Sequence, residues 1–266
     1  MSKISLAGQI KRPIKPQSLR QSIKQSTQQP IKRSTKQSRK QESIQSLAKR
    51  KPFDQSSPSR EEVVIVGGGP SLKQFNFEKL NEFDTIVTNQ AFCFLENPTY
   101  FLTVDYTFLR QVHRPLFDEL DATKVFVLNN ALPEIIDYNG IIRDVRNNVL
   151  YDLSMYDLII KSRRADGLGW TMGDFRTGIN SGYAAFQLAV ILGYKRIHLI
   201  GIDLCIIDRE KHFHNLYKHD ILTQAKLETY FEYFKVGIEL AKQAGISISC
   251  GSSQSRLAEL IPVIAL

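Results

Sequence analysis

Short runs of apolar residues recur along the chain from position 63 onward, separated by stretches with more polar residues. In chain order they read VVIVG, DTIVTNQ, TYFLTVD, TKVFVLNN, RIHLIGIDL and ISISCG. Continuous apolar runs of this length are typical of strands that are buried on both faces, as in parallel sheets. Strands that alternate with helices favour an α/β fold. We therefore predict a mostly parallel sheet with helices on both faces.

Two segments carry the clearest helical pattern. Residues 181–194 read SGYAAFQLAVILGY, and residues 221–245 form a longer amphipathic segment that ends at Gly245, a residue suited to a helix stop. Its apolar stripe consists of Leu227, Phe231, Phe234, Ile238 and Ala241. Residues 131–178 show neither the period of a helix nor the alternation of a strand clearly, and we predict a loop-rich insertion there.

The first 60 residues differ in composition from the rest. They contain 15 of the 35 Lys and Arg but two of the 27 Asp and Glu, a net charge of +13, whereas the remaining 206 residues carry 20 against 25 and are net −5. Such a segment cannot form a core, so we predict a disordered, low-complexity basic tail at 1–60 and one domain at 61–266. A tail with this charge would bind nucleic acid, an acidic partner or an anionic membrane surface. A solvated tail without a ligand fits the composition equally well.

Targeting and cysteine patterns narrow the class of protein. The tail has no apolar region like that of a secretory signal, and no stretch reaches the ~18 apolar residues of a membrane span. Cys93, Cys205 and Cys250 are too scattered for a disulfide framework or a zinc site. We therefore expect a cytoplasmic protein without a transmembrane segment.

The first predicted strand runs into GGGPS, which occupies residues 67–71. A strand that ends in glycines before a helical turn presents backbone N–H groups, and such groups bind phosphate. The residues predicted to bind the phosphate of a ligand are therefore Gly67, Gly68, Gly69, Pro70 and Ser71. The loop lacks the third glycine of the dinucleotide fingerprint and the Gly-Lys-Ser/Thr ending of a P-loop. A tight turn that binds nothing is the alternative.

Other polar turns follow later strands at the same expected edge of the sheet. Asn89 follows the second run, Asp105 ends the third, and Asn180, Ser181 and Gly182 open the first predicted helix. Asn-Ser-Gly is a suitable N-cap, and a helix start attracts anions. Each residue alone fits a cap or a turn. Together they predict a crevice lined by polar residues at the carboxyl ends of the strands, where ligands bind in such sheets.

Three of the five histidines lie in EKHFHNLYKHD, residues 210–220. His212 and His214 are two positions apart and therefore face the same side of an extended loop. A neutral imidazole that reaches the crevice would accept the proton of an attacking hydroxyl, so we predict a catalytic base at one of these two positions. A metal-binding pair and a polar surface loop are the alternatives, although no cysteine or carboxylate cluster accompanies the pair in the sequence.

Four stretches resemble segments of the bacterial lipooligosaccharide sialyltransferases: GGGPSL, FDTIVTNQAF, NSGYAAFQLAVILGYKRIHLIGIDL and SSQSRLAEL. They equally resemble a broader group that includes motility accessory factors, archaeal-type 6-hydroxymethylpterin diphosphokinases and phage proteins. The resemblance runs discontinuously over residues 63–260 and implies a Rossmann-like fold. For the sialyltransferases it implies metal-independent transfer of a sugar from a cytidine nucleotide, without a cofactor.

The resemblance also implies roles for individual residues. It places the nucleotide against the glycines, Asn89 and the Asn-Ser-Gly helix start, and it makes a loop histidine, preferably His214, the base. This chain departs from the sialyltransferases at Gly68, where they have Asn, and at Gly178, where they have Arg, although Arg176 is near enough to compensate. The tyrosines that steady the leaving phosphate in those enzymes have no clear counterpart here.

We therefore predict a metal-independent glycosyltransferase that moves a sugar from a CMP-sugar-type donor to a glycan or another hydroxyl acceptor. The loop around Trp170 would close over the acceptor. Its expected hinges are Gly167, Gly169 and Gly173. A diphosphokinase that uses ATP and Mg²⁺ through Asp105 or Asp203 is one alternative, although Asp203 also suits a role in fixing a neighbouring loop. A non-catalytic interaction protein that uses the basic tail is the other.

Overall fold

The structure is a computed structural model of the 266-residue chain. It describes residues 60–105, 108, 114–128, 134–136, 141–144, 149–162, 164–216 and 222–266. The predicted basic tail, apart from Arg60, lies outside the described residues. So does His219, the third histidine of EKHFHNLYKHD.

The described residues form ten strands in two sheets. In chain order the strands are β1 (Glu62–Val66), β2 (Asp84–Thr88), β3 (Tyr100–Thr103), β4 (Thr123–Leu128), β5 (Glu134–Ile136), β6 (Ile141–Asp144), β7 (Val149–Asp152), β8 (Leu158–Lys161), β9 (Arg196–Ile200) and β10 (Ser247–Cys250). The larger sheet has the order β10-β9-β1-β2-β3-β4-β8, and its pairings are parallel. This confirms the predicted α/β fold with a Rossmann-like parallel sheet.

The central strand of the larger sheet, β1, shows why these segments form strands. Val63, Val64, Ile65 and Val66 are completely buried. Val63 and Ile65 pack into one hydrophobic cluster and Val64 and Val66 into another, on opposite faces of the sheet. β-Branched side chains suit a pleated surface, and a strand that is covered on both faces has no position for a polar residue.

Long helices cover one face of the sheet. The helices are α1 (Arg114–Asp118), α2 (Ser181–Leu192) and α3 (Gln224–Gln243). α2 packs on β1, β2 and β3, while α3 packs on β10 and α2. The predicted stripe of α3 is buried from Leu227 to Ala241, and the helix ends just before Gly245, whose φ is +79°. Burial of one apolar stripe is what stabilises a helix of this kind.

The other face is covered by shorter helical segments over an aromatic cluster. They are α1 and the 3₁₀ turns Pro70–Leu72, Phe77–Glu82 and Asn89–Phe94. Beneath them Phe92, Phe101, Phe108 and Phe117 pack with ring centroids 4.9–6.1 Å apart, five of their six pairs edge to face, and are at most 2% exposed. Edge-to-face packing of this kind stabilises a core beyond the area that it buries. Helical segments thus lie on both faces, as predicted, but they are long on one face only.

The segment predicted as a loop-rich insertion, residues 131–178, contains more regular structure than expected. It includes β8, which pairs with β4 in the parallel sheet, and the three strands of the antiparallel sheet β5-β6-β7. These strands are only three or four residues long. A run of three or four residues is too short to establish a period of two in the sequence.

The strand order creates a switch point at β1. From β1 the chain adds β2, β3, β4 and β8 on one side, and it then crosses to β9 and β10 on the other side. In open α/β sheets, ligands bind in the crevice at the carboxyl ends of the two strands where the order reverses. The glycine-rich segment that follows β1 lies at this crevice. None of the described helices has both the length and the apolar character to cross a membrane.

Candidate active site at the carboxyl edge of the sheet

The segment after β1, residues 67–72, is called the glycine loop here, and two of its glycines accommodate the end of β9. Gly67 N–H donates to the Ile200 carbonyl at 2.9 Å, and Gly69 N–H donates to the Gly201 carbonyl at 2.8 Å. A Cβ at Gly67 would overlap the Gly201 carbonyl oxygen, and one at Gly69 would overlap the Asp203 carboxylate. The group that approaches these two glycines is therefore the protein's own chain.

Asp203 holds the far end of the glycine loop. Its two carboxylate oxygens accept hydrogen bonds from Ser71, one from the backbone N–H at 2.8 Å and one from Oγ at 2.6 Å. Burial raises the pKa of Asp203, while both bonds from Ser71 act in the opposite direction. The expected role of Asp203 in fixing a neighbouring loop is thus confirmed, and a metal ion would have to compete with Ser71 for both oxygens.

These bonds change the predicted phosphate site. The N–H groups of Gly67, Gly69 and Ser71 all donate within the protein, and Pro70 has none. Among the described residues, the Gly68 N–H has no acceptor. The expectation of a cradle made from the whole run of amides is therefore not met, because the scaffold uses them. Gly68 is also the half-buried member of the triplet, whereas Gly67 and Gly69 are buried.

The second loop at this edge, residues 207–216, is called the histidine loop. Phe213 N–H donates to the Gly68 carbonyl at 3.0 Å. The Phe213 ring packs against Phe94 and Phe77, with centroids 4.7 and 5.7 Å away. His212 and His214 project together, as their spacing predicts, with nearly parallel rings 5.8 Å apart. Aromatic packing through Phe213 therefore fixes both imidazoles beside the glycine loop.

Both imidazoles approach the Cα of Gly68. A Cβ at this position would lie 3.4 Å from Nδ1 of His212 and 3.5 Å from Nε2 of His214, which is ordinary van der Waals contact. The three glycines thus differ, because Gly67 and Gly69 face backbone or a buried carboxylate, while Gly68 faces two half-buried histidines. Two ring nitrogens therefore converge beside the Gly68 Cα.

The protonation of His214 follows from its surroundings. Burial lowers the pKa of His214 to about 3, and the nearby His212 contributes in the same direction. The ring is therefore neutral near pH 7. Its Nδ1 accepts a hydrogen bond from Leu216 N–H at 3.3 Å, so the single ring proton lies on Nε2. In this arrangement Nε2 is a donor.

A chain of hydrogen bonds joins the ends of β2 and β3 to the start of α2. Asp105 N–H donates to Oγ1 of Thr103, which donates to Oδ1 of Asn89 at 2.7 Å. Val104 N–H donates to Oγ of Ser181, which donates to the same Oδ1 at 3.1 Å. Each hydroxyl accepts a hydrogen bond from a backbone N–H, so its own O–H is available to donate a hydrogen bond to Asn89. The half-buried Asn89, at φ +50°, therefore has its Nδ2 group left to donate.

The residues at the α2 start have different roles. Asn180 caps the helix, because Oδ1 accepts from Tyr183 N–H at 2.8 Å and Nδ2 donates to the Gly178 carbonyl at 3.1 Å. Gly182 permits close packing, since a Cβ there would lie 2.7 Å from Cδ1 of Ile202. Only Ser181 joins the Asn89 network. Of the predicted helix start, Ser181 thus lies directly against Asn89.

The loop around Trp170 is held in place by hydrogen bonds at two of the glycines that were expected to be hinges. The buried Gln187 of α2 accepts from Gly169 N–H at 2.7 Å and donates to its carbonyl at 2.8 Å. Tyr183 OH donates to the Gly167 carbonyl at 2.5 Å. Gly167 and Gly169 are therefore anchors of this loop, contrary to their expected role as hinges. Trp170 itself is 53% exposed at the tip.

Arg176 is engaged by its own loop. It pairs with Asp174 at 2.9 Å, and its other terminal nitrogen donates to the Asp166 carbonyl at 3.4 Å.

Within the part of the chain that the structure describes, no group of three or more metal-ligating side chains is present. Thr103, Phe213 and Gln187 were not expected from the sequence, because each acts through a partner that is distant in the chain.

Comparisons with known proteins add a fold likeness. No family model matches the chain, and no curated protein matches it. A solved structure of the sialyltransferase CstII from Campylobacter jejuni, in complex with the substrate analogue CMP-3FNeuAc, is similar to 77% of this chain and 86% of its own. The identity is 17% and the TM-score is 0.42. At this level the likeness concerns the course of the chain alone.

Proposed function

We propose that this protein is a glycosyltransferase that binds a nucleotide sugar at the carboxyl edge of the sheet and transfers the sugar to a hydroxyl of a glycan or another acceptor. The observation that carries the proposal is the position of the two imidazoles. His212 and His214 flank Gly68 at the end of β1, and the network that orients Asn89 lies at the end of the neighbouring strand β2. Neutral imidazoles are the side chains best suited to proton transfer near pH 7.

The groups around this point favour an electron-rich ligand. The Gly68 N–H, Nδ2 of Asn89 and the first turn of α2 behind Ser181 are all donors or carry partial positive charge. A nucleotide offers phosphate, ribose and base oxygens to such donors. The ligand would therefore rest on Gly68 and Asn89, while Gly67, Gly69, Pro70 and Ser71 shape the loop behind them.

The chemistry assigned to the chain is simple. The acceptor hydroxyl loses its proton to an imidazole as it attacks the anomeric carbon, and the nucleotide departs with the electron pair of the broken bond. General base catalysis of this kind contributes about 10²- to 10⁴-fold. The donors around Gly68 and Asn89 would stabilise the negative charge of the leaving nucleotide. The scheme involves no metal ion.

A thermal-shift panel tests the proposal. CMP, UDP, GDP and ATP are each added with and without Mg²⁺, and a nucleotide at a hundredfold excess over its Kd should raise Tm by about 5–10 °C. Stabilisation by CMP without Mg²⁺ supports the transferase. Stabilisation that appears only with ATP and Mg²⁺ would instead indicate the diphosphokinase, and no stabilisation by any nucleotide would indicate an interaction protein.

An Asn89→Asp variant localises the ligand. The substitution preserves the size of the side chain but replaces the donor Nδ2 with a carboxylate oxygen, which repels phosphate. We expect the nucleotide-induced shift to fall by more than half. The matched control is Asn76→Asp, because Asn76 caps an exposed 3₁₀ turn through Oδ1 and lies outside this site. An equal loss in both variants would contradict the assignment.

A further inference from the structure

Three elements meet at the side chain of Asn89. Asn89 follows the end of β2, Thr103 is the last residue of β3, and Ser181 is the first residue of α2. Oδ1 of Asn89 accepts a hydrogen bond from the Thr103 hydroxyl at 2.7 Å and another from the Ser181 hydroxyl at 3.1 Å. Thr103 is completely buried and Ser181 is 5% exposed, so both hydroxyls depend on partners within the protein.

The two hydroxyls determine which way the Asn89 amide points. Oγ1 of Thr103 accepts from Asp105 N–H at 3.0 Å. Oγ of Ser181 accepts from Val104 N–H at 3.2 Å. Each hydroxyl then has its own hydrogen to donate, and Oδ1 of Asn89 receives both. If the amide were turned over, both buried O–H groups would have no acceptor among the described residues, which is costly.

The Nδ2 group of Asn89 remains for a ligand. Among the described residues it has no hydrogen-bond acceptor, and it is not one of the unpartnered side-chain atoms that are sealed from solvent. Asn89 adopts φ +50°, a left-handed conformation that asparagine tolerates better than most residues. The first turn of α2, whose Ser181 hydroxyl lies against Asn89, adds partial positive charge. An oxygen that accepts hydrogen bonds, above all a charged one, therefore suits this position.

We propose that Thr103 is a positioning residue of the nucleotide site, which acts with Ser181 to hold the Asn89 amide with Nδ2 available to an oxygen of the nucleotide. This proposal rests on the proposed function and deepens it. Thr103 is completely buried, so it acts through the Asn89 amide and not through contact with the ligand. Nδ2 donates hydrogen bonds and does not accept them, so this position selects an accepting group and rejects an ammonium group. A group that is oriented in advance binds more tightly, because it need not be ordered when the ligand arrives.

Hydrogen exchange of side-chain amides tests the orientation of Asn89 without any ligand. Triple-resonance NMR assigns the NH₂ signals of the native protein at pH 7, and Gln187 is the internal control. Gln187 is completely buried and its Nε2 donates to the Gly169 carbonyl at 2.8 Å, so its hydrogens should exchange slowly with water. We expect the Nδ2 hydrogens of Asn89 to exchange about 100-fold faster. Exchange as slow as that of Gln187 would mean that Nδ2 donates within the protein, and it would overturn the proposal.

Thr103→Val tests the positioning role. Valine keeps the shape of threonine but has no hydroxyl, so Oδ1 of Asn89 loses the shorter of its two hydrogen bonds. The Kd of the nucleotide that binds best in the thermal-shift panel should rise about tenfold, which corresponds to the contribution of one hydrogen bond. Thr103→Ser restores the hydroxyl and should bring the Kd back to within about twofold of the native value.

Thr88→Val is the matched control. Thr88 is also a buried threonine at the end of a strand, but its hydroxyl donates to the Val66 carbonyl at 3.2 Å and not to Asn89. The Kd of this variant should stay within about twofold of the native value. If Thr103→Val and Thr88→Val raised the Kd equally, or if Thr103→Ser did not recover it, the effect would be a general loosening of the strand ends. Either result would overturn the positioning role.

The outcomes separate this proposal from the proposed function. If the native protein binds no nucleotide, the proposed function fails and the role of Thr103 in it fails as well. If the native protein binds a nucleotide and Thr103→Val binds it equally well, the positioning role alone is overturned. A loss in Thr103→Val that Thr103→Ser restores, together with fast exchange of the Asn89 amide, supports both.

Discussion

The glycine loop and the histidine loop lie side by side at one edge of the sheet, but different forces hold them. In the glycine loop, backbone N–H groups donate to the end of β9, and Ser71 donates twice to the buried Asp203. The histidine loop is attached through Phe213, by its N–H bond to Gly68 and by its ring contacts. The first loop uses its polar groups internally, and the second presents two imidazoles.

This difference changes the meaning of the glycine triplet. Three consecutive glycines after a strand suggest that a ligand approaches the backbone, but two of them are required by the packing of β9. Only the middle glycine, Gly68, faces the two histidines of the candidate site. The glycine loop is therefore mainly a scaffold, and the side chains that we propose to be reactive come from the loop that lies against it.

The largest effect is expected from Gly67→Ala. The new methyl group would overlap the Gly201 carbonyl oxygen, and backbone in the centre of a sheet cannot move without disturbing β1 and β9. We expect a loss of about 3 kcal/mol in the free energy of unfolding, measured by urea denaturation. Gly68→Ala is the matched control and should change stability by less than about 0.5 kcal/mol. Equal effects of the two substitutions would contradict the distinction between scaffold and site.

Asp203 gives the next largest effect. Asp203→Ala would leave the part-buried N–H of Ser71 without its acceptor, which should cost about 2 kcal/mol. Asp203→Asn should recover most of this loss, because its Oδ1 can accept from the N–H while its Nδ2 donates to the Ser71 hydroxyl. Urea denaturation of both variants at pH 7 measures the difference.

The titration of Asp203 provides a second measurement. Burial raises its pKa, so the native state binds a proton more readily than the unfolded state. The contribution of Asp203 to stability is therefore largest below its unfolded pKa and declines as the pH rises through its folded pKa. The native protein should gain stability relative to Asp203→Asn as the pH is lowered from 7 to 4. A difference that is independent of pH would contradict the raised pKa.

Much of the fold could be predicted from the sequence, because it depends on local periodicity. The apolar runs from Val63 onward and the stripe of α3 indicate their elements directly, since burial on one or two faces requires those patterns. The strands β5 to β7 could not be predicted in this way. Each is only three or four residues long, and its pairing depends on partners rather than on its own composition.

The candidate site was predictable as a set of positions but not as a set of roles. The sequence indicates Gly68, Asn89, His212 and His214 through turn and loop chemistry. It cannot show that the side chain of Asn180 is used to cap α2, because asparagine is a suitable residue both for a helix cap and for a ligand site. It also cannot show which ring nitrogen of His214 carries the proton. That depends on the Leu216 N–H, which only the folded loop brings into place.

A smaller effect is expected from the pH dependence of His214. Its pKa is lowered to about 3, so the native state resists protonation and the unfolded state does not. The corresponding stability is present above the unfolded pKa of about 6.5 and is lost as the pH falls toward 3. Between pH 7 and pH 5 the native protein should lose about 1–2 kcal/mol more than His214→Gln, measured by urea denaturation. If both proteins lost the same free energy of unfolding between pH 7 and pH 5, His214 would be more exposed than the structure shows.

The smallest effect is expected from the ion pair that joins the two loops. Lys73, just after the glycine loop, pairs with Glu210 of the histidine loop at 2.9 Å, and their side chains are 61% and 43% exposed. Water and salt screen such a pair, so Lys73→Ala should cost less than about 0.5 kcal/mol, and 0.5 M NaCl should remove even this difference. Phe213→Ala is the contrast, because the loss of its ring contacts should release the histidine loop and cost about 2 kcal/mol or more. If Lys73→Ala proved the more damaging substitution, the loops would be joined by charge rather than by aromatic packing.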